Sequence, residues 1–352
     1  MKIFRKKYSA FTLVEVLLIS AIFIILISGA FTLLNSRVYE DDIEAKAREV
    51  ADIISQAQNY SSSGFMGDVW GIKALSQSND CLSGGDCLIL FKGDSYEDRD
   101  SDFDRQLNFG ERNSGVFLAD NQEQEFYFAF GSGWLAGDDE RDIALDSNFG
   151  VKRSVRVLSS GLAYVFTCGE SKIYDSQGQG YTTIDINGQC FMAENFNNGS
   201  MLAGADSEPT DNDVLEKWCY GNDESNCDIY GGLYNWNELM AYGTSAGARG
   251  ICPAGWHVPT SAQWDSLIAN YPAVAGDELA VNGSSGFNLL LAGQRTSAGG
   301  GAYSDLDSLA TFWSSDQYDA SNAVYYYNDS SDMATTNLAK VYGLALRCLK
   351  DY

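Results

Sequence analysis

The chain has 352 residues, which is enough for two or three domains. It carries 48 acidic residues against 23 lysines and arginines, a formal net charge of −25 at pH 7. Because nucleic-acid binding depends on phosphates that lysine and arginine neutralise, this balance argues against DNA or RNA as a partner of the folded domains.

The first 34 residues combine a basic leader with an apolar segment. The leader holds four basic residues, Lys2, Arg5, Lys6 and Lys7, and by the positive-inside rule it predicts a cytoplasmic N-terminus with the rest of the chain outside. The stretch Val16–Leu34 would be about 28 Å long as a helix, which is enough to cross a bilayer core. Glu15 interrupts the apolar segment near its start, and a carboxylate in hydrocarbon normally has a specific partner.

This segment resembles the class III leader of type IV prepilins and pseudopilins. The small residue Ala10 is followed by Phe11, then by Thr12-Leu13-Val14-Glu15 and the apolar run. The resemblance implies that a prepilin peptidase cuts between Ala10 and Phe11 and that Phe11 becomes N-methylated. It also implies that Glu15 neutralises the Phe11 amine of a neighbouring subunit during assembly. The family usually has glycine at the cleavage site, where this chain has Ala10.

Two other interpretations of the N-terminus compete with this one. An ordinary signal peptide has a shorter apolar core with its cleavage site after it, and Glu15 does not belong in such a core. A plain single-span anchor accounts for the length and the flanking charge. It accounts neither for Glu15 nor for the Phe-Thr-Leu motif.

Residues 35–60 are predicted to continue the helix, so that one helix covers 11–60. Ile43, Ala47, Val50, Ile54 and Ala57 recur at steps of three and four residues, which predicts an apolar face that packs against a sheet. Four short segments rich in β-branched and aromatic residues follow and are predicted to be strands, namely Leu88–Phe91, Glu125–Phe130, Ser154–Leu158 and Leu162–Phe166. This order resembles the H-type minor pseudopilins of type II secretion and implies that residues 61–167 form a pilin-like antiparallel β domain.

An acidic loop lies within that domain. Asp98, Asp100, Asp102 and Asp104 alternate along the chain and suggest a weak calcium site. An EF-hand would need a glycine at its sixth position and a glutamate at its twelfth, where this chain has Phe103 and Phe109. A solvated loop is the alternative, and calcium is the only cofactor that the sequence suggests.

Eight cysteines predict a disulfide framework, since an even number outside the cytoplasm is typical of one. A zinc site is disfavoured because no CxxC is present and His257 is the only histidine. The cysteines are Cys81, Cys87, Cys168, Cys190, Cys219, Cys227, Cys252 and Cys348.

From Cys168 onward, tyrosine, tryptophan, asparagine and glycine dominate. Separate blocks at Thr183–Asn195, Cys219–Cys227, Tyr230–Trp236 and Cys252–Thr260 stand in the order found in the Fibrobacter succinogenes major paralogous domain, which residues 168–352 therefore resemble. The resemblance implies an extracellular, disulfide-linked α+β module. That module is distantly similar to the C-type-lectin-like and formylglycine-generating-enzyme folds.

Spacing and this resemblance together predict which cysteines pair, although eight cysteines allow 105 connectivities. Cys81–Cys87 and Cys219–Cys227 would each close a short loop, which leaves Cys168–Cys190 and Cys252–Cys348 as longer closures. Every cysteine then has a structural partner, so a formylglycine-type oxidase, which needs a reactive cysteine pair, is not expected. His257 is interpreted as a packed scaffold residue, and no catalytic residue and no enzymatic activity are predicted.

The fold class predicted from these features is α+β. A leader at 1–10 precedes a transmembrane and pilin helix at 11–60, which packs on the antiparallel β domain at 61–167. The module at 168–352 follows.

The predicted function is a minor type IV pilin-like subunit that displays an extracellular module for surface attachment or ligand binding. A minor position is favoured because a module of about 185 residues would crowd every subunit of a packed filament. A structural tip pseudopilin of a type II secretion or DNA-uptake machine is the first alternative, and a plain membrane-anchored receptor is the second.

The expected partners are other pilin subunits, the prepilin peptidase, the inner membrane, and a surface carbohydrate or protein. The expected location is the inner membrane as a single-pass prepilin with its C-terminus outside, and then the cell surface or pilus.

Overall fold

The computed structural model describes residues 40–109, 115–119, 124–137, 140–148, 151–202, 208–296, 302–329 and 331–351. The predicted processing and assembly residues Ala10, Phe11 and Glu15 lie outside these ranges. We call residues 40–166 of the described chain the N-terminal unit and residues 168–351 the C-terminal module.

The N-terminal unit begins with helix α1, which extends over residues 40–63. The five residues of its predicted apolar face, Ile43, Ala47, Val50, Ile54 and Ala57, are fully buried. They share one core with apolar side chains from two antiparallel sheets. Gly64 follows the helix at φ 65°, a left-handed conformation that glycine adopts readily and that ends the helix.

Two sheets of strands with mostly alternating or continuous apolar residues cover this helix. The first has the order β3-β2-β1-β5 and the second the order β4-β6-β7-β8 in the described residues, and all pairs are antiparallel. The strands are β1 Trp70–Leu75, β2 Cys87–Lys92, β3 Arg105–Asn108, β4 Val116–Leu118, β5 Gln124–Phe128, β6 Arg141–Ser147, β7 Arg153–Val157 and β8 Ala163–Phe166. Single-turn 3-10 helices lie at Phe65–Gly67, Leu82–Gly84 and Ser101–Phe103.

The C-terminal module consists of short strands with four short helices among its described residues. The strands are β9 Ile173–Tyr174, β10 Gly180–Tyr181, β11 Thr183–Ile186, β12 Gln189–Met192, β13 Ser200–Met201, β14 Glu216–Lys217, β15 Trp256–His257, β16 Gln294–Arg295, β17 Tyr303–Ser304, β18 Thr311–Gln317, β19 Asn322–Asp329, β20 Asp332–Ala339 and β21 Leu349–Lys350. The helices are α2 Glu224–Tyr230, α3 Trp236–Leu239, α4 Ser261–Ala269 and α5 Ala275–Leu279, with a 3-10 helix at Tyr220–Asn222.

The four-stranded sheet of the module contains its last strand at an inner position. Sheet β11-β12-β21-β15 inserts the C-terminal strand β21 between β12 and β15, and β18-β19-β20 forms an antiparallel meander. Five tryptophans, Trp218, Trp236, Trp256, Trp264 and Trp313, are fully buried. Aromatic side chains therefore form much of the core of the module, which explains their concentration in this part of the sequence.

The predicted α+β fold class is wrong, because the described chain is built mostly of β-sheets with few helices. Helices α2–α5 have only four to nine residues, since glycine, asparagine and aspartate interrupt the module too often for longer ones. The predicted transmembrane stretch Val16–Leu34 lies outside the described ranges. Within the described ranges no helix combines the length and the apolar character that a bilayer span requires. Helix α1 carries charged residues such as Arg48, Glu49 and Asp52 on its outer face.

Candidate functional site

A buried cluster of charges joins the N-terminal unit to the C-terminal module. Arg156 on β7 is almost fully buried, and its guanidinium contacts the carboxylates of Glu140 and, at 3.4 Å, Asp142. Its Nη1 also donates to the carbonyl oxygen of Ala254 in the module at 2.8 Å. From the other side, Nζ of Lys350 lies 2.9 Å from Oδ2 of Asp142.

We call Glu140, Asp142, Arg156 and Lys350 the clasp. It contains two acids and two cations from both parts of the chain, so its charges are balanced where water is largely excluded. Removing one member of such a buried cluster leaves an uncompensated charge, which typically costs about 3–5 kcal/mol. The clasp therefore holds the two parts in a fixed arrangement.

The connection between the two parts is also short. Strand β8 ends at Phe166 and the first disulfide of the module begins at Cys168, so that Thr167 alone separates them. The ring of Phe166 packs edge-on against Trp256 of the module, with 5.9 Å between centroids. This joint leaves no room for a flexible linker.

A cleft of about 410 Å³ opens beside the clasp. Glu140 and Ser159 line it from the N-terminal unit. The module contributes the residues of two loops, Tyr174, Asp175, Ser176, Gly178, Arg249, Pro253 and Ala254. The cleft is the candidate functional site because it combines an aromatic ring, a cation, a carboxylate and hydroxyl groups in a preformed concavity.

The module loop at the cleft is fixed by Asp175. Its Oδ1 accepts hydrogen bonds from the backbone N–H groups of Gln177 and Gln179 at 2.9 and 3.0 Å, and its Oδ2 accepts one from the Tyr181 hydroxyl at 2.7 Å. Burial, and then the hydrogen bond to Asp175, raises the pKa of Tyr181, so this hydroxyl stays protonated and donating. The loop holds Tyr174, which is 52% exposed, at the wall of the cleft.

Arg249 supplies the cation of the cleft. Its Nε donates to the carbonyl oxygen of Cys252 at 2.9 Å, which orients an otherwise exposed guanidinium. A guanidinium has further N–H donors for a ligand. Together, Tyr174 and Arg249 can offer a ring face and hydrogen-bond donors to one ligand.

The sequence of the module places it in a known family of domains. Residues 184–350 match the Fibrobacter succinogenes major domain. The match covers a little under half of the chain and lies inside the segment that the sequence motifs indicated. No curated protein and no solved structure matches the chain significantly.

The exterior of the C-terminal module is strongly acidic. Residues 168–352 contain 23 acidic residues and seven lysines and arginines. Only Lys172 and Arg249 among the seven are exposed, whereas Lys217, Arg295, Lys340, Arg347 and Lys350 are buried. An outer surface with so few cations repels anionic ligands and favours uncharged or cationic ones.

The buried cations of the domain act as internal cross-links. The guanidinium of Arg347 donates to the side chain of Asn195 at 2.6 Å and to the backbone carbonyls of Met192, Phe287 and Asn288. Burial lowers its pKa to about 9, which still leaves it charged at neutral pH. Burial also lowers the pKa of Lys217, whose Nζ donates to Oδ1 of Asn197 at 2.8 Å.

The predicted disulfide bonds are present. The structure joins Cys81–Cys87, Cys168–Cys190, Cys219–Cys227 and Cys252–Cys348 and leaves no cysteine free. Three of the four lie in the module, and the fourth joins Cys81, midway along the β1–β2 connection, to Cys87, the first residue of β2.

The acidic loop is not assembled as a calcium site. Asp104 accepts from Nε of Arg99 at 2.9 Å, and Asp100 caps the backbone N–H of Asp102. Across the described ranges, no group of three or more histidine, cysteine, aspartate or glutamate side chains is placed to hold a metal ion. Asp98 is an exposed loop residue.

His257 lies in the scaffold of the Fibrobacter major domain. Its Nδ1 contacts the carboxylate of Asp351, and its Nε2 lies 2.9 Å from Oε1 of Gln263. The same Gln263 oxygen accepts from the backbone N–H of Thr260 in the capping box of α4. The imidazole thus links the end of the chain to the start of a helix.

Sequence reasoning missed the clasp and the cleft. Arg156 gave a usable signal, because a charged residue between Val155 and Val157 in an apolar strand needs a buried partner. The scarcity of cations in the module could have singled out Arg249. Nothing local indicates that Ser159 and Tyr174 face the same cleft.

Proposed function

We propose that this chain is a minor type IV pilin-like subunit that carries a Fibrobacter major domain outside the cell for surface attachment. The observation that carries this proposal is the rigid joint between the two parts, in which the clasp and a one-residue connection replace a linker. An attachment module must pass mechanical load to its stalk, and a fixed joint suits that role better than a flexible tether.

The pilin part of the proposal draws on the leader, on Phe11 and on Glu15. Its support from the described chain is the amphipathic helix α1, whose apolar face is buried against two sheets of the N-terminal unit. The four disulfides are in keeping with an oxidising compartment outside the cytoplasm. We propose that the chain lies first in the inner membrane, through its N-terminal apolar segment, and then at the cell surface.

The proposed activity of the module is binding rather than catalysis. Both ring nitrogens of His257 are engaged within the scaffold, and every cysteine is in a disulfide. The cleft instead offers Tyr174, Arg249 and hydroxyl groups for contact with a ligand. A carbohydrate or a protein on another surface is the proposed partner, together with neighbouring pilin subunits and the prepilin peptidase.

The first test is mass spectrometry of the N-terminus of the chain recovered from sheared surface filaments. We expect the mature chain to begin at Phe11 and to carry a methylated amine. A chain that retains Met1, or one cut near residue 30, would contradict the pilin assignment.

A paired substitution tests the assembly role. Glu15→Ala should be processed but absent from the sheared filament fraction, because it removes the carboxylate that would pair with the Phe11 amine in a medium of low dielectric constant. Glu40→Ala, a loss of the same charge at an exposed position of α1, should be incorporated normally. Equal incorporation of the two variants would refute the role of Glu15.

A further inference from the structure

Three turns meet at the C-terminal end of α1 and expose large apolar side chains. Phe65 and Met66 follow the helix, Phe130 and Trp134 lie in the turn after β5, and Leu162 precedes β8. These five residues, which we call the apolar tip, are between 42% and 63% exposed. Apolar groups exposed together in this way usually mark an interaction site.

The three turns are tied to each other and to the helix. The backbone N–H of Gly131 donates to the carbonyl oxygen of Ser61 at 2.9 Å, and that of Leu135 donates to the carbonyl oxygen of Ser159 at 2.9 Å. The side chain of Gln58 donates to the carbonyl oxygen of Ser160 at 3.0 Å. The tip is therefore a preformed surface, so a ligand would not have to order it.

Gly161 shows how closely the turns approach. It has φ 84°, and a Cβ at this position would lie 2.2 Å from the carbonyl oxygen of Gly133. Glycine is thus required both by the backbone conformation and by the contact between two of the turns.

The tip is uncharged in a chain that carries a net charge of −25. No charged residue occurs in 61–67, 129–137 or 158–162, the segments that form the three turns. The acidic surface elsewhere would repel an anionic polymer or an anionic lipid surface. Charge complementarity at the tip therefore favours an uncharged partner.

The size of the tip argues against a stable contact with another protein. Five side chains that are about half exposed present roughly 500 Å² of apolar area. A stable protein interface buries about 800 Å² on each partner. The tip suits a smaller ligand or a repeating surface that several subunits contact at once.

The position of the tip suits contact with an external surface. Helix α1 enters the described structure at residue 40 and reaches the tip about 36 Å further on, at 1.5 Å per residue. The tip thus lies at the opposite end of α1 from residue 40. It also borders the cleft, because Ser159 lines the cleft and Leu162 belongs to the same turn.

We propose that the apolar tip binds an uncharged polysaccharide, with the rings of Phe130 and Trp134 covering the C–H faces of sugar units. This inference rests on the proposed attachment function and names its ligand class. A sugar ring presents an apolar face with hydroxyl groups around its edge, so a flat aromatic ring removes the face from water and leaves the hydroxyls free. The neighbouring cleft offers Tyr174 and Arg249 for those hydroxyls.

The test is co-sedimentation of the full-length chain, in an uncharged detergent without a sugar headgroup, with insoluble cellulose and chitin. Immobilised polygalacturonate is the anionic comparison. We expect binding to at least one neutral polymer, and a loss of roughly tenfold or more in affinity for Phe130→Ala/Trp134→Ala, the effect of truncating hot-spot aromatics. Tyr318→Ala, which removes a ring that is 64% exposed outside the tip, should bind like the wild type.

Three results would overturn this inference. In the first, the double variant binds the polymer as tightly as the wild type and has the same thermal midpoint. In the second, the wild type binds polygalacturonate more tightly than the neutral polymers. In the third, the chain associates with itself through the tip and binds no polysaccharide. Filament incorporation and the Phe11 N-terminus are measured independently. A failure of the tip with correctly incorporated subunits would therefore leave the pilin assignment standing, whereas absence from filaments would contradict the proposed function itself.

Discussion

The disulfide Cys252–Cys348 should contribute much more to stability than the disulfide Cys81–Cys87. We compare the double variants Cys252→Ala/Cys348→Ala and Cys81→Ala/Cys87→Ala. All four cysteines are at most 3% exposed, so the two variants lose similar packing. They differ in the length of the chain that the disulfide closes, which is 96 residues in one case and 6 in the other.

The expected magnitudes follow from the entropy of loop closure in the unfolded chain. In that treatment a loop near 100 residues is worth about 4.7 kcal/mol, and one of six residues about 2 kcal/mol. The larger value approaches the whole stability of a typical domain, about 5–15 kcal/mol. The native structure adds a local reason, because Cys348 directly precedes β21, and its carbonyl oxygen accepts a hydrogen bond from the backbone N–H of Met192 at 3.1 Å.

Tryptophan fluorescence during urea unfolding can measure the difference. Five of the tryptophans are fully buried in the C-terminal module and report on its core. We expect the Cys252/Cys348 variant to unfold at a much lower urea concentration and to be cleaved by protease within the module. A shift equal to or smaller than that of the Cys81/Cys87 variant would refute the reasoning.

Three further substitutions have expected outcomes. Arg156→Met should destabilise the protein by about 3–5 kcal/mol, since it removes the cation that Glu140 contacts and leaves Lys350 as the one cation of the clasp for two carboxylates. Arg153→Met, which breaks a partly exposed pair with Glu44, should cost at most about 1 kcal/mol. Similar losses of stability in urea unfolding would refute the role of the clasp. Burial raises the pKa of Glu238 above its ordinary 4.5. Its protonated form therefore stabilises the fold at low pH, and this contribution is lost as the pH rises through the folded-state pKa. Glu238→Gln should lose less stability than the charge-matched Glu97→Gln when the pH is raised from about 4 to about 7, and parallel thermal midpoints would contradict this. Gly161→Ala should lower the thermal midpoint more than Gly188→Ala, because both have φ above 80° but only Gly161 also faces a backbone oxygen.

Local patterns in the sequence predicted local structure well. The apolar face of α1 is buried residue for residue, because a period of three to four residues has one structural solution on an amphipathic helix. The strand predicted at Leu88–Phe91 lies within β2, and that at Leu162–Phe166 covers β8. The two short loops bounded by cysteines were likewise predicted to be closed by Cys81–Cys87 and Cys219–Cys227, and both disulfides are present.

The fold class and the candidate sites could not be reached in this way. The predicted α+β class implied a larger share of helix in the module than the structure has. The apolar runs there form strands, since turn residues limit each element to a few residues. The contact of Gln58 with Ser160 joins residues 102 positions apart, and that of Arg156 with Ala254 joins residues 98 apart. Periodicity says nothing about which turns meet at such separations, so the tip, the clasp and the cleft appear only in the folded chain.

The most direct measurement of the central claim is the attachment of cells that make filaments with and without this chain. Filament number and length are recorded on the same samples by electron microscopy. The surface is coated with the neutral polysaccharide that the chain binds in co-sedimentation. We predict that deleting the chain abolishes attachment of cells to this surface while filament number and length stay the same. Unchanged attachment would contradict a role in adhesion, and a loss of filaments altogether would instead make the chain a structural component of assembly.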